Sequence, residues 1–198
     1  VSSNAPMYRE DFKSDIYVGL GAQELRERGF NAKDVLVGIA ASGRTPYVLG
    51  AIDHARSVGA SVIAVTCCPG SAIDRAADIG IAPEPGPEVI AGSTRMKSGT
   101  AQKMVLNMLS TGTMIKLGKV YGNLMVDVKP SNEKLIRRCI TIVCEATGES
   151  EAQAAAALDK CGYSCKQAIV MLLRGVGVDE AARLLEKAGG RVAQAIAG

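Results

Sequence analysis

Residues 34–82 alternate twice between a short apolar run and a helical pattern, and this alternation constrains the fold more than any other feature. Val35, Val37 and Ile39 supply β-branched residues, then a small polar turn leads to Pro46, where a first-turn proline is tolerated because its missing N–H has no helical partner. Val48, Leu49, Ile52 and Ala55 then share one helical face, and Gly59 stops it. Residues 61–66 form a second apolar strand, residues 72–77 a short helix and residues 79–82 a brief third strand. Strands joined this closely through helices predict right-handed crossovers and a parallel sheet, hence an α/β fold.

Upstream, residues 23–28 read as a helix end stopped by Gly29. Downstream, the Pro-rich loop 83–87 leads into residues 92–101, a polar segment that opens a long helix. Ala101, Met104, Val105, Met108, Leu109 and Ile115 recur at helical spacing and predict a core face. Residues 119–130 read as extended, with Asn123 and Asp127 buried. Composition shifts near residue 147, after which 151–158, 163–173 and 179–187 read as three short helices, Asp179 capping the last and Gly189-Gly190 stopping it. The expected domains are therefore 1–147, the sheet-bearing part, and 148–198, a small helical bundle.

Composition removes several function classes. The net charge is +3, no Lys/Arg block occurs, and the chain has no Trp and two Phe, so nucleic acid is not an expected partner. No window approaches the ~20 apolar residues that span a bilayer, so no membrane role is expected. Residues 1–7 lack a basic region followed by an apolar run and do not read as a signal peptide. They also lack an initiator Met, which reads as a processed chain or a fragment. The six cysteines form no C-x-x-C pair and accompany a single histidine, His54, so no metal is expected. Free, mostly buried thiols in a reducing cytoplasm are the expectation.

Two polar clusters carry the chemistry. Ser42, Gly43, Arg44 and Thr45 lie between a strand's carboxyl end and a helix start, where ligands of open α/β sheets bind. A helix N-terminus offers free N–H groups and partial positive charge, which suits phosphate. The turn equally suits a plain capped helix. Ser93, Thr94, Arg95 and Lys97 form the second cluster, able to hold hydroxyls or a phosphate, or else to serve as an ordinary helix cap. His54, beside Asp53 and half-exposed, has no nucleophile at hydrogen-bonding spacing and reads as a surface residue.

Residues 34–48, 92–111 and 118–128, taken in order, resemble the N-acetylmuramic acid 6-phosphate etherases, a resemblance that spans roughly residues 21–190. The resemblance implies a parallel-sheet SIS (sugar isomerase) domain lacking its first strands, a C-terminal helical bundle and a cytoplasmic homodimer. It implies a lyase that cleaves the D-lactyl ether of its phosphorylated amino sugar, releasing N-acetylglucosamine 6-phosphate and D-lactate, without metal or organic cofactor. The implied chemistry is syn elimination of lactate followed by addition of water, with one acidic residue protonating the leaving oxygen and a base taking the C2 proton. Ser42 and Thr45 would lie near the sugar or its phosphate, and Ser93, Thr94 and Arg95 on the opposite wall. Asp15 takes the place of the family's second catalytic Glu when counted back from Gly21 without gaps; with an insertion, Glu10 or Asp11 does. The family's other catalytic Glu lies in a first half that this chain does not contain. The resemblance leaves room for a non-catalytic sugar-phosphate-binding regulator like the glucokinase regulatory proteins, and more weakly for an aldose–ketose isomerase.

Overall fold

A computed structural model describes residues 14–198. Glu10 and Asp11 lie outside the described residues. The chain divides into two compact units, Val1–Met108 and Leu109–Gly198.

The first unit runs α1 (Ser14–Glu27), β1 (Val35–Ile39), α2 (Pro46–Ser57), β2 (Ser61–Val65), α3 (Ala72–Ala76), β3 (Ile79–Ile81) and the start of α4 (Lys97–Lys116). The three strands form a parallel sheet in the order β1-β2-β3, with Val35 opposite Ser61 and Ile63 opposite Ile79. This is the α/β architecture expected from the alternation, and β1 stands at its edge. Strand alternation sends Leu36, Val62 and Ala64 toward α2, where they pack with Val48, Ile52 and Ala55. Gly38 belongs to that face: a Cβ there would lie 2.9 Å from Val48 Cγ1 and 3.3 Å from Ile52 Cδ1. Gly21 and Gly50 let α1 approach α2, since a Cβ at either would run into the other helix's backbone. Across the seam, the Tyr47 hydroxyl donates to Glu24 at 2.9 Å.

The opposite face of the sheet is unevenly covered: Val35 and Ile79 are each 57% exposed and Ile39 is 39% exposed, whereas Val65, in register with Ile39, is fully buried. Parallel strands usually read as continuous apolar runs because both their faces are covered. Here the apolar run is present, but among the described residues the cover of this face is partial.

The predicted core face of α4 is a correction. Of its six residues only Val105 is buried; Met104, Met108 and Ile115 are exposed. Helical periodicity identifies an apolar stripe, but burial requires a partner surface, which no described element supplies to most of this one.

The second unit contains the end of α4, a hairpin of β4 (Val120–Tyr121) and β5 (Leu124–Met125), then α5 (Glu133–Thr147), α6 (Glu151–Lys160), α7 (Cys165–Arg174), α8 (Val178–Lys187) and α9 (Val192–Ala197). The predicted extended segment is thus a short antiparallel hairpin, turned by Gly122 at φ 58° and Asn123. Asn123 and Asp127 are exposed rather than buried. Asp127 instead pairs with Lys119 and, at 4.0 Å, with Lys166. Cys139, Ile142 and Val143 of α5 share one buried cluster with Leu158, Ile169, Val170 and Val192. The bundle therefore takes in α5, which precedes the compositional shift at 147. Its helix starts are specific: Asn132 accepts from the Leu135 N–H, Ser150 and Gln153 form a reciprocal capping box, and Ser164 accepts from the Gln167 N–H. The start of α8 is a correction, because Gly177 rather than Asp179 is its cap; Asp179 lies inside the first turn, where its charge suits the helix dipole.

The six thiols are free, but only Cys139 and Cys165 are buried, and Cys68 is exposed. Burial pushes the Cys165 thiol up, as it does the half-buried Cys161.

Candidate functional site

The β1–α2 turn is held from three sides. The Cys67 N–H donates to the Ala41 carbonyl at 3.0 Å, and the Ile73 N–H donates to the Gly43 carbonyl at 2.9 Å. The Thr66 hydroxyl donates to the Ala41 carbonyl at 3.4 Å and accepts from the Cys68 N–H at 3.0 Å. Gly43 is buried at φ 64°, a left-handed conformation that glycine adopts without strain. A Cβ at Gly43 would collide with Ser71 and lie 2.8 Å from the Thr66 hydroxyl. The turn is thus pressed onto the β2–α3 turn, and its exposed side presents Ser42, Arg44 and Thr45.

At the start of α2, Thr45 is the cap residue, but its hydroxyl makes no capping bond and no acidic residue occupies the first turn. In this first turn Pro46 has no N–H and the Val48 N–H donates to the Thr45 carbonyl at 3.1 Å, which leaves the Tyr47 N–H without an intrahelical partner. Arg44 has no ion-pair partner among the described residues. Exposed hydroxyls, the Tyr47 N–H and a guanidinium gather at this turn, groups that suit a short anion.

The second polar cluster lies ahead of α4. Thr94, Arg95 and Lys97 are exposed and Ser93 is half-buried. The Cys67 thiol donates to the Ser98 carbonyl at 4.0 Å, which ties the first turn of α4 to the chain leaving β2. Cys67 is the same residue whose N–H holds the Ser42 turn, so both clusters gather at the carboxyl end of the sheet. The structure brings Ser42, Gly43, Arg44 and Thr45 to one such turn and Ser93, Thr94, Arg95 and Lys97 to the other. Asp15 falls in the first turn of α1.

Motif reading missed Glu88. Its carboxylate accepts from the Lys97 N–H and the Ser98 N–H, each at 3.0 Å. Those bonds hold its pKa below the usual Glu range. A local capping box has its partner three residues away; this one lies nine and ten residues back, so no short motif could reveal it. Ser71 and Thr66, which back the first turn, were also missed.

A cavity of about 410 Å³ lies beside β1 and reaches Thr45 of the first cluster, lined also by Leu25, Val37, Ile39 and Tyr47 among others. Burial, helped by the bond to Glu24, raises the Tyr47 pKa to about 12, so its hydroxyl stays neutral and is a hydrogen-bonding group, not a base. Among the described residues, no group of three or more metal-ligating side chains is gathered, and no helix is long and apolar enough to cross a membrane.

Sequence comparison fits this geometry. Residues 17–112 match the SIS domain, and residues 122–173 match the C-terminal lid domain of glucokinase regulatory protein. The chain is 55% identical over 177 residues to an N-acetylmuramic acid 6-phosphate etherase of Aliivibrio fischeri (strain MJ11), which covers 89% of this chain. Residues 17–112 of the chain are thus similar to the SIS domain, and the chain as a whole is similar to these etherases. An etherase of Aeromonas hydrophila is 57% identical over 88% of the chain, and one of Escherichia coli O81 (strain ED1a) is 53% identical over 89%. The chain spans 59% of the length of these relatives. The SIS match contains both polar clusters, and the lid match begins after β4 and covers β5, α5, α6 and α7 up to residue 173.

Proposed function

We propose that the protein is an etherase that cleaves the D-lactyl ether of N-acetylmuramic acid 6-phosphate, giving N-acetylglucosamine 6-phosphate and D-lactate. The observation that carries this reading is the 55% identity to an etherase over 177 residues, a span that includes both polar turns. In this reading the start of α2, with Ser42, the Gly43 turn, Arg44 and Thr45, takes the phosphate. Ser93, Thr94, Arg95 and Lys97 form the facing wall and hold sugar hydroxyls. Asp15 is the candidate carboxylate for proton transfer, a task that suits a group whose environment tunes its pKa. The working protein is a cytoplasmic homodimer that needs no metal.

A coupled assay for D-lactate tests the reading. The full-length parent of this chain is expected to release D-lactate from the muramic acid 6-phosphate substrate, and Asp15→Asn in it to slow release by about 100-fold or more. No D-lactate from the unsubstituted full-length parent would overturn the proposal.

A further inference from the structure

Glu88 lies in the Pro-rich loop and belongs to neither polar cluster, yet it controls how one of them is held. Its two carboxylate oxygens take one N–H each, from Lys97 and Ser98, at 3.0 Å. These donors open α4, a 20-residue helix with no acidic residue in its first turn. A carboxylate there satisfies unpaired N–H groups and sits at the positive end of the helix dipole. The chain between acceptor and donors carries Ser93, Thr94 and Arg95, so the two bonds close this segment into a loop. Inside it, the Ser93 N–H donates to the Ile90 carbonyl at 3.1 Å. The Cys67 thiol fastens the far end of the loop to the chain leaving β2.

We propose that Glu88 is a positioning residue: it closes the 88–98 loop onto the start of α4 and so presents Ser93, Thr94 and Arg95 to a phosphorylated sugar without touching it. The same carboxylate fills the anion site of α4, which leaves the phosphate to the uncapped start of α2. This rests on the sugar-phosphate reading of the site given above. Glutamine keeps the size of Glu88 but loses its charge and points an NH2 group at one of the backbone donors. Leaving the helix start half-capped frees the loop, and ordering it again opposes ligand binding.

The test titrates the protein and its Glu88→Gln variant with N-acetylglucosamine 6-phosphate by calorimetry and follows amide hydrogen exchange in both. Exchange at Lys97 and Ser98 is expected to rise at least about tenfold in the variant, and affinity to fall about tenfold, with exchange in β2 unchanged. In Glu88→Ala, added formate is expected to restore affinity, a rescue that general destabilisation would not show. If Glu88→Gln does not fold, Glu88→Asp carries the same two measurements, since it keeps the charge but shortens the reach. Wild-type protein that binds the sugar phosphate while the variant binds it equally well overturns the role of Glu88 alone. Wild-type protein that does not bind it overturns the reading of the site, and this role with it.

Discussion

The two helix starts at the carboxyl end of the sheet are built in opposite ways. The start of α2 has a cap residue whose hydroxyl makes no capping bond, no acidic first turn, and an exposed Arg44 beside it. The start of α4 is filled by the Glu88 carboxylate, which accepts two N–H groups. Both termini have the same intrinsic preference for negative charge. One is capped by a carboxylate from within the chain, and the other has no side-chain capping bond from Thr45. A helix start with a tight turn is thus not a binding site by type; what matters is whether the protein has already occupied it.

The comparison breaks hardest at Gly43. Gly43→Ala puts a side chain at φ 64° and drives a Cβ into Ser71. It is expected to cost about 1–3 kcal/mol of stability and to abolish sugar-phosphate binding, since the turn must move to relieve the clash. Thermal unfolding and calorimetry on the one variant check both. Near-normal affinity would mean that the turn's shape does not serve the ligand.

A smaller effect separates structural caps from an open one. Ser71 caps α3 by accepting from the Asp74 N–H at 3.4 Å, so Ser71→Ala is expected to lower stability by about 1 kcal/mol. Thr45 makes no such bond, and Thr45→Ala is expected to change stability by less than about 0.5 kcal/mol while still weakening the ligand. Equal stability losses in urea titrations of the two variants would show that Thr45 is a structural cap after all.

The smallest effect is a pH dependence confined to the start of α4. The folded pKa of Glu88 lies below its unfolded value because of the two backbone bonds, with the Lys97 charge adding to them. The contribution of the cap is therefore present above the ordinary Glu range and lost as pH falls through the depressed folded value. Amide exchange at Lys97 and Ser98, corrected for intrinsic rates, is expected to accelerate on acidification before the rest of the first unit loosens. No such local change would contradict the cap.

Most elements were legible in the chain because their signals are local. Val35, Val37 and Ile39 mark β1 by composition, Pro46 marks the start of α2, and Gly29 and Gly189-Gly190 mark helix ends. The turn at Ser42–Thr45 was legible for the same reason: strand, small polar residues and first-turn proline follow each other directly. What failed depended on distant partners. The apolar stripe of α4 was visible at Met104 and Met108, but its exposure was not. The apolar residues that flank Asn123 and Asp127 predict burial, whereas both are exposed and Asp127 pairs with Lys119 and Lys166.

By itself, then, the sequence determined the alternation of strands and helices, the polar turns between them and the kinship with the etherases, since periodicity and motif order are written residue by residue. Tertiary structure alone decided that Val35, Ile39 and Ile79 of one sheet face stay exposed, that the Ser42 turn is pressed against Thr66 and Ser71, and that Glu88 caps the start of α4. Burial and hydrogen-bond pairing are set by which surfaces meet in space, and residues nine or more positions apart carry no periodic signal of that meeting.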